Sequence, residues 1–111
     1  MFIVVKEKIM LTEKDYCDYD TCVTLRELGY YDPIQSNTHL TISLYEAQKF
    51  LREEKNIIVN VDIDYSWYYA IYFSEGNISP PQFSGGEYGS YEEALLEGIK
   101  EAIKILKEER K

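Results

Sequence analysis

Two aspartates in the middle of the chain are the residues whose types and spacing first suggest chemistry. Asp62 and Asp64 lie two positions apart in a stretch that alternates like a β-strand, so both side chains can share one side. Paired carboxylates can bind a divalent cation or share a proton in acid–base catalysis. The sequence offers no third ligand or base beside them. We therefore expect no metal site, assign no catalytic residue, and expect no cofactor.

Cysteine and histidine form a second candidate set. Cys17, Cys22 and His39 could ligate zinc, but four residues separate the cysteines and no fourth ligand is evident. Two cysteines are also too few for the disulfide framework of a small secreted domain. We expect free thiols in a reducing compartment, with Cys22 in the core and His39 in an exposed polar connection.

A glycine-rich segment precedes the last predicted helix, the kind of place where anions bind. Residues 85 to 90 read Gly-Gly-Glu-Tyr-Gly-Ser, which lacks the lysine of a phosphate loop. Glu87, Glu92 and Glu93 would repel a phosphate group. The segment therefore favours helix capping over anion binding.

Charge and length limit the classes of function. The chain has 111 residues with 20 acidic and 12 basic side chains, a formal net charge of −8. Such a chain repels nucleic-acid phosphates, so we expect no nucleic-acid partner. No apolar run reaches the length of a membrane span, and Met1 to Val5 is too short for a signal-peptide core. We expect one domain over residues 1 to 111 in the cytoplasm, with no membrane partner.

Both long helices are predicted from the same capping signature. Ser43 is followed three residues later by Glu46, and Ser90 by Glu93, each before an apolar run of helical period. Such a capping box satisfies N–H groups left without partners at a helix start. Gly98 inside the second run indicates a close approach to a sheet. The two predicted helices cover residues 44 to about 55 and 91 to about 109.

A shorter helix is predicted before them. Asp18 or Asp20 can cap its start, and it runs to about Leu28. Gly29 would end it in the left-handed conformation that glycine adopts without strain. Cys22 lies on its apolar face, which is why we place that thiol in the core.

Two strands are predicted between the long helices. Residues 57 to 65 and 67 to 74 alternate between apolar and other side chains, with Asn56 as a stop before the first strand and a turn at residues 65 to 66. One side of the pair is predicted to face the core. It carries Ile57, Val59, Val61, Ile63, Trp67, Tyr69, Ile71 and Phe73.

Two further segments could add to the sheet. Residues 82 to 88 are typical of a short edge strand bent at residues 85 to 86, and residues 2 to 11 of an edge strand or an extended arm that reaches to about residue 17. The predicted class is α+β, with two layers. An antiparallel sheet of about three strands packs on two main helices in α-β-β-β-α order, after a short N-terminal helix.

The sheet face away from the helices is the strongest candidate for function. In this register it carries Asn60 and four residues that we assign to protein binding, namely Asp62, Asp64, Tyr68 and Tyr72. Tyrosine, present 11 times, is enriched in protein interfaces because its ring is apolar and its hydroxyl is polar. The same pattern is also typical of an ordinary solvated sheet face, so both interpretations stay open.

Three short patterns resemble a group of small proteins of gut bacteria and their phages, a domain of unknown function. They are Leu-Arg-Glu-Leu-Gly at residues 25 to 29, Ala-Gln-Lys-Phe-Leu-Arg-Glu at 47 to 53, and Ser-Tyr-Glu-Glu-Ala-Leu at 90 to 95. The likeness extends over about residues 18 to 106. It implies a shared fold and a mobile-element origin, and it carries no activity that could be transferred.

A second likeness covers about forty residues. Tyr-Ala-Ile-Tyr-Phe at 69 to 73, followed by Gly-Ser-Tyr-Glu-Glu-Ala at 89 to 94, resembles HicB-like antitoxins, in which a core strand leads through a glycine-containing loop into a Ser/Thr-x-x-Glu-Ala helix. The chain departs from them because the Pro-Gly-Cys-type segment is missing and the helix from residue 44 is extra. The element order is also similar to double-stranded-RNA-binding domains, a role that the acidic charge disfavours.

Three functions stay open at this point. The first is a non-enzymatic acidic module of mobile-element or phage type that binds another protein through the Tyr/Asp face, and the acidic charge suits a basic partner. The second is a small-ligand binder or enzyme with a pocket near Tyr72, Asp62 and Asp64. The third is a structural protein that forms homo-oligomers through an open sheet edge.

Overall fold

The computed structural model describes residues 12–31, 41–73, 82–83 and 87–109. An α+β arrangement of helices and an antiparallel strand pair is present, as predicted. His39, the extended segment 2 to 11, the bend at residues 85 to 86 and the predicted strand end at residue 74 lie outside the described residues. The helices are α1 (Tyr19–Glu27), α2 (Leu44–Glu54) and α3 (Tyr91–Glu109), the strands are β1 (Ile57–Ile63), β2 (Trp67–Phe73) and β3 (Gln82–Phe83), and a short 3-10 turn covers Glu13–Asp15.

Helix α1 begins and ends at the predicted residues. The Asp18 carboxylate accepts a hydrogen bond from the Thr21 N–H at 2.8 Å, which makes Asp18, rather than Asp20, the N-cap. Gly29 follows the helix with φ of 112°, a left-handed backbone conformation that residues other than glycine rarely adopt. The Tyr30 N–H then bonds back to the Leu25 carbonyl at 3.0 Å, which turns the chain towards α2.

The two long helices start in different ways, although the same signature precedes both. Ser43 and Glu46 form a reciprocal box, each side chain accepting from the backbone N–H of the other at 3.0 Å. At the start of α3, Ser90 accepts from the Glu93 N–H at 3.2 Å, but Glu93 accepts from Gly89 at 3.1 Å. The second box is therefore shifted by one residue, because the glutamate reaches past Ser90 to the exposed Gly89 N–H.

Strands β1 and β2 form the long pair of the sheet. They are antiparallel, with Ile57 opposite Phe73 and Ile63 opposite Trp67, so that alternate residues share a face as predicted. Asn56, with φ of 58°, turns the chain from α2 into β1, in agreement with its predicted role as a stop. On the far side of β2, the two-residue β3 pairs antiparallel with Ala70 and Ile71. A longer third strand stays a prediction.

The core lies between the helices and one face of the β1–β2 pair. Helix α3 packs on both strands, and Gly98 lies in close contact with them, as its position predicted. A Cβ atom there would lie 2.6 Å from Val59 Cγ1 and 3.0 Å from Tyr69 Cβ. The largest fully buried side chains come from every helix and both long strands, and from Ile42 just before α2. They are Cys22, Leu25, Ile42, Leu44, Leu51, Val59, Ile71, Leu95 and Ile99.

Backbone contacts join the segment before α1 to the segment before α2, and one side chain joins α2 to β1. The Cys17 N–H bonds to the Ile42 carbonyl at 2.9 Å, and Tyr16 bridges to Ser43. From α2, the Gln48 amide donates to the Val59 carbonyl at 2.7 Å. Among the described strands, β1 lies at one end of the order β1-β2-β3, so Gln48 covers part of an edge that could otherwise pair with another strand.

Burial along the sheet departs from simple alternation at two places. Ile63 lies on the predicted core face, yet 52% of it is exposed, because α3 covers the sheet near Val59 and Tyr69 rather than at the end of β1. Ala70 lies on the opposite face and is only 4% exposed. On the outer face, therefore, Asn60 and Asp62 of β1 are exposed to solvent, whereas Ala70 of β2 is buried.

Candidate functional site

The register brings most of the predicted Tyr/Asp face together. Asp62 lies opposite Tyr68, and Tyr72 lies two residues beyond Ala70 on the same face. Asn60 and Asp62 are exposed, whereas Tyr68 and Tyr72 are half-buried. The face therefore presents carboxylate and amide groups along β1, with tyrosine rings beside them on β2.

The two aspartates do not form the pair that their spacing suggested. The Asp62 carboxylate accepts from the Ile63 N–H at 2.8 Å, which fixes it against its own backbone. Asp64 lies beyond the end of β1, in the turn, where its N–H donates to the Ser66 carbonyl at 3.2 Å. Across the part of the chain that the structure describes, no group of three His, Cys, Asp or Glu side chains could hold a metal ion.

The tip of the β1–β2 hairpin carries exposed apolar groups that the sequence patterns did not single out. Tyr65 is 99% exposed and Ile63 is 52% exposed, and they alternate along the chain with exposed Asp62 and Asp64. We call residues 62 to 65 the acidic hairpin tip. A signal was present in the sequence, since Tyr65 stands in a turn that usually holds glycine, asparagine or aspartate.

Other tyrosines have structural roles on the helix side of the sheet. Trp67 meets Tyr91 edge to face with ring centroids 5.8 Å apart, and Tyr69 stacks on Tyr88 at 6.0 Å. Trp67 and Tyr88 also exchange backbone hydrogen bonds of 3.2 Å. These rings fill the gap between the start of α3 and β2, so part of the tyrosine excess serves packing, the alternative that we left open.

A groove of about 520 Å³ lies between the end of α1 and the outer side of α2. Tyr30 and Phe50 meet edge to face on one side of it, with centroids 5.6 Å apart, and Tyr31 is 73% exposed beside them. The sequence placed Tyr30 and Tyr31 in a connection, and only the turn at Gly29 brings them against α2. The lining residues are Gly29, Tyr30, Tyr31, Glu46, Lys49, Phe50, Glu53 and Glu54.

Both cysteines are buried free thiols, and Cys22 lies in the core as predicted. The Cys22 Sγ lies 3.7 Å from the Cys17 carbonyl oxygen, the geometry of a weak hydrogen bond. Burial raises the pKa of the Cys17 thiol to about 12 and also raises the pKa of Cys22. Since the thiolate is the reactive and metal-binding form, neither group is suited to nucleophilic chemistry in the folded chain.

Comparison with known proteins adds no relative. No protein-family model, no curated protein and no solved structure matches the chain. The resemblances to the phage-associated group and to HicB-like antitoxins therefore stay predictions. Within the described ranges, none of the helices combines the length and apolarity that a membrane crossing requires.

Proposed function

We propose that the chain is a non-enzymatic, acidic module that binds a basic protein through the acidic hairpin tip, through Tyr68 beside the tip, and through Tyr72 farther along the same face of β2. One observation carries this proposal. Tyr65 and Ile63, 99% and 52% exposed, alternate along the chain with two exposed carboxylates, those of Asp62 and Asp64. Exposed apolar groups rimmed by charge are typical of interaction sites, and tyrosine is a frequent hot-spot residue.

The charge of the whole chain supports a basic partner. With a net charge of −8, the chain attracts basic surfaces over several ångströms and speeds their encounter. Asp62 and Asp64 would then fix the orientation at the interface, while Tyr65 and Ile63 supply apolar contact area. A toxin, a nuclease or a host factor bound by a phage or mobile-element protein fits this chemistry, and the cytoplasm fits the free thiols.

The two alternatives have weaker support. A ligand pocket near Tyr72, Asp62 and Asp64 is disfavoured because Asp64 leaves the strand, so the three groups do not converge by strand alternation. Self-assembly through β1 is disfavoured because Gln48 engages the Val59 carbonyl at that edge. The α-β-β-β-α order stays part of the proposal, supported by the short pairing of β3 with β2.

Affinity capture tests the proposal. The tagged chain is incubated with lysate of its source cells and washed at low and at moderate salt, and the bound proteins are identified and quantified. We expect one stoichiometric basic protein whose retention falls as salt rises, since screening weakens exposed charge pairs. A stoichiometric acidic partner, or no partner at either salt, would contradict the proposal.

A further inference from the structure

We propose that the groove between α1 and α2 is a second binding site, which holds the guanidinium group of an arginine on an extended peptide segment. The site is separate from the acidic hairpin tip and does not depend on it. The assignment is based on three properties of the groove, namely its aromatic rings, its carboxylates and its size.

The aromatic rings of the groove suit a cation. Tyr30 and Phe50 pack edge to face, and Tyr31 presents a ring that is 73% exposed. Lys55 Nζ lies 5.8 Å from the centroid of the Phe50 ring, so this ring already contacts a cation of the chain itself. That contact has the geometry of a cation–π interaction, in which the negative face of the ring attracts positive charge.

The carboxylates give the groove its charge. Three glutamates and one lysine line it, so the lining carries net negative charge. Glu46 is engaged in capping α2, where it accepts from the Ser43 N–H at 3.0 Å. Glu53 and Glu54 are both exposed at the end of α2. Glu53 makes only an exposed ion pair with Arg52, at 3.9 Å, which a bound cation can replace at little cost, so these two carboxylates would accept from it.

The combination of rings and carboxylates favours arginine over lysine. A guanidinium is flat, stacks on aromatic faces and donates two parallel hydrogen bonds to a carboxylate, whereas an ammonium is a compact, strongly hydrated charge. The groove, of about 520 Å³, has room for one such side chain with its flanking backbone. An extended peptide can place that side chain between Tyr31 and the end of α2.

An NMR titration of the ¹⁵N-labelled full chain tests the proposal. The probes are two blocked peptides of sequence Gly-Arg-Gly and Gly-Lys-Gly, followed by amide shift changes. We expect saturable shifts at Gly29, Tyr30, Tyr31 and residues 46 to 54 with the arginine peptide, and weaker ones with the lysine peptide. Absence of shifts at the groove, or equal affinity for both peptides, would overturn the proposal.

Matched variants make the test specific. Tyr31→Ala removes an exposed ring and should weaken arginine-peptide binding about threefold, as expected for one exposed cation–π contact. Tyr65→Ala removes a ring that is also exposed but lies in the acidic hairpin tip, and it should leave groove binding unchanged.

The carboxylate variants test the charge of the groove. Glu53→Gln with Glu54→Gln should weaken binding of the arginine peptide further, whereas Glu108→Gln, at an exposed position on α3, should not. Shifts confined to residues 62 to 65 would overturn the groove assignment alone.

Discussion

Gly98 shows how one residue sets the distance between a helix and the sheet. A Cβ atom at this position would lie 2.6 Å from Val59 Cγ1, well inside van der Waals contact. Alanine is a better helix former by about 1 kcal/mol, but overpacking a close contact costs about 1–3 kcal/mol. We expect Gly98→Ala to lower the free energy of unfolding by about 1 kcal/mol, measured by urea denaturation.

Gly89→Ala is the control for this prediction. A Cβ at Gly89 would meet only Glu93 Oε1, at 3.6 Å, which is ordinary contact. We expect this substitution to change the free energy of unfolding by less than about 0.5 kcal/mol. A Gly98→Ala variant as stable as the native chain would show that α3 can shift away from β1 at little cost.

The two cysteines provide a second test at the scale of single residues. Burial raises the pKa of Cys17 to about 12, and Cys22 is fully buried. Because the thiolate is the attacking form, we expect alkylation by iodoacetamide near pH 8 to be at least about a hundredfold slower in the folded chain than in denaturant. Mass spectrometry over time measures both rates. Equal rates would contradict the buried positions of the two thiols.

The carboxyl group of Asp18 makes the stability of the folded chain depend on pH. Burial raises the pKa of its carboxyl, but hydrogen bonds from Thr21 and from Lys100, whose Nζ lies 3.1 Å away, have the larger combined effect and lower it. A lowered pKa in the folded chain adds stability above the ordinary aspartate value of about 3.9, and that stability is lost as pH falls through the folded value.

Asp18→Asn isolates this charge, since asparagine also caps helices well. We expect a lower melting temperature than the native chain at neutral pH, and a difference that disappears as the pH falls through the lowered pKa of folded Asp18. Asp20→Asn, at an exposed position two residues after the cap, serves as the control and should change the melting temperature less. A deficit for Asp18→Asn that persists in acid would mean that the substitution damages the cap itself.

At the scale of elements, local chemistry accounts for the helices and strands. Capping residues predicted the starts of α2 and α3, Gly29 the end of α1, and period-two alternation the faces of β1 and β2. The exposure of Ile63 was not predictable in this way, since alternation assigns a side chain to a face and cannot say where a helix crosses it. The groove depends on a tertiary contact between Tyr30 and Phe50, which no local pattern encodes.

Gln48 tests how α2 protects the edge of the sheet. Its amide donates to the Val59 carbonyl at 2.7 Å, and Val59 is fully buried. Gln48→Met keeps the length of the side chain but leaves this carbonyl without its donor. We expect the free energy of unfolding to fall by about 1–2 kcal/mol, measured in urea.

Arg52→Met is the matched control, since Arg52 is exposed on the same helix. It should change the free energy of unfolding by less than about 0.5 kcal/mol, because its ion pair with Glu53, at 3.9 Å, is exposed. Equal stabilities of the two variants would show that Gln48 is not needed at the β1 edge.

At the scale of the whole molecule, acidity and exposed apolar groups meet at one end of the sheet. The net charge of −8 attracts basic partners in general, whereas the acidic hairpin tip offers a defined contact area. Sequence patterns placed Asp62 and Asp64 on the candidate binding face but did not point to Tyr65. The exposure of a turn residue depends on the tertiary packing around it, which local patterns do not encode. The central claim is that binding depends on this tip and not on charge alone.

The most direct test is a comparison of two charge-reversal variants in the same capture experiment. Asp62→Lys with Asp64→Lys changes the tip, and Glu27→Lys with Glu108→Lys changes the net charge equally at exposed helix positions outside the sheet. We predict that the tip variant loses the salt-sensitive basic partner while the helix variant retains it. Equal retention by both variants, or equal loss from both, would contradict the claim.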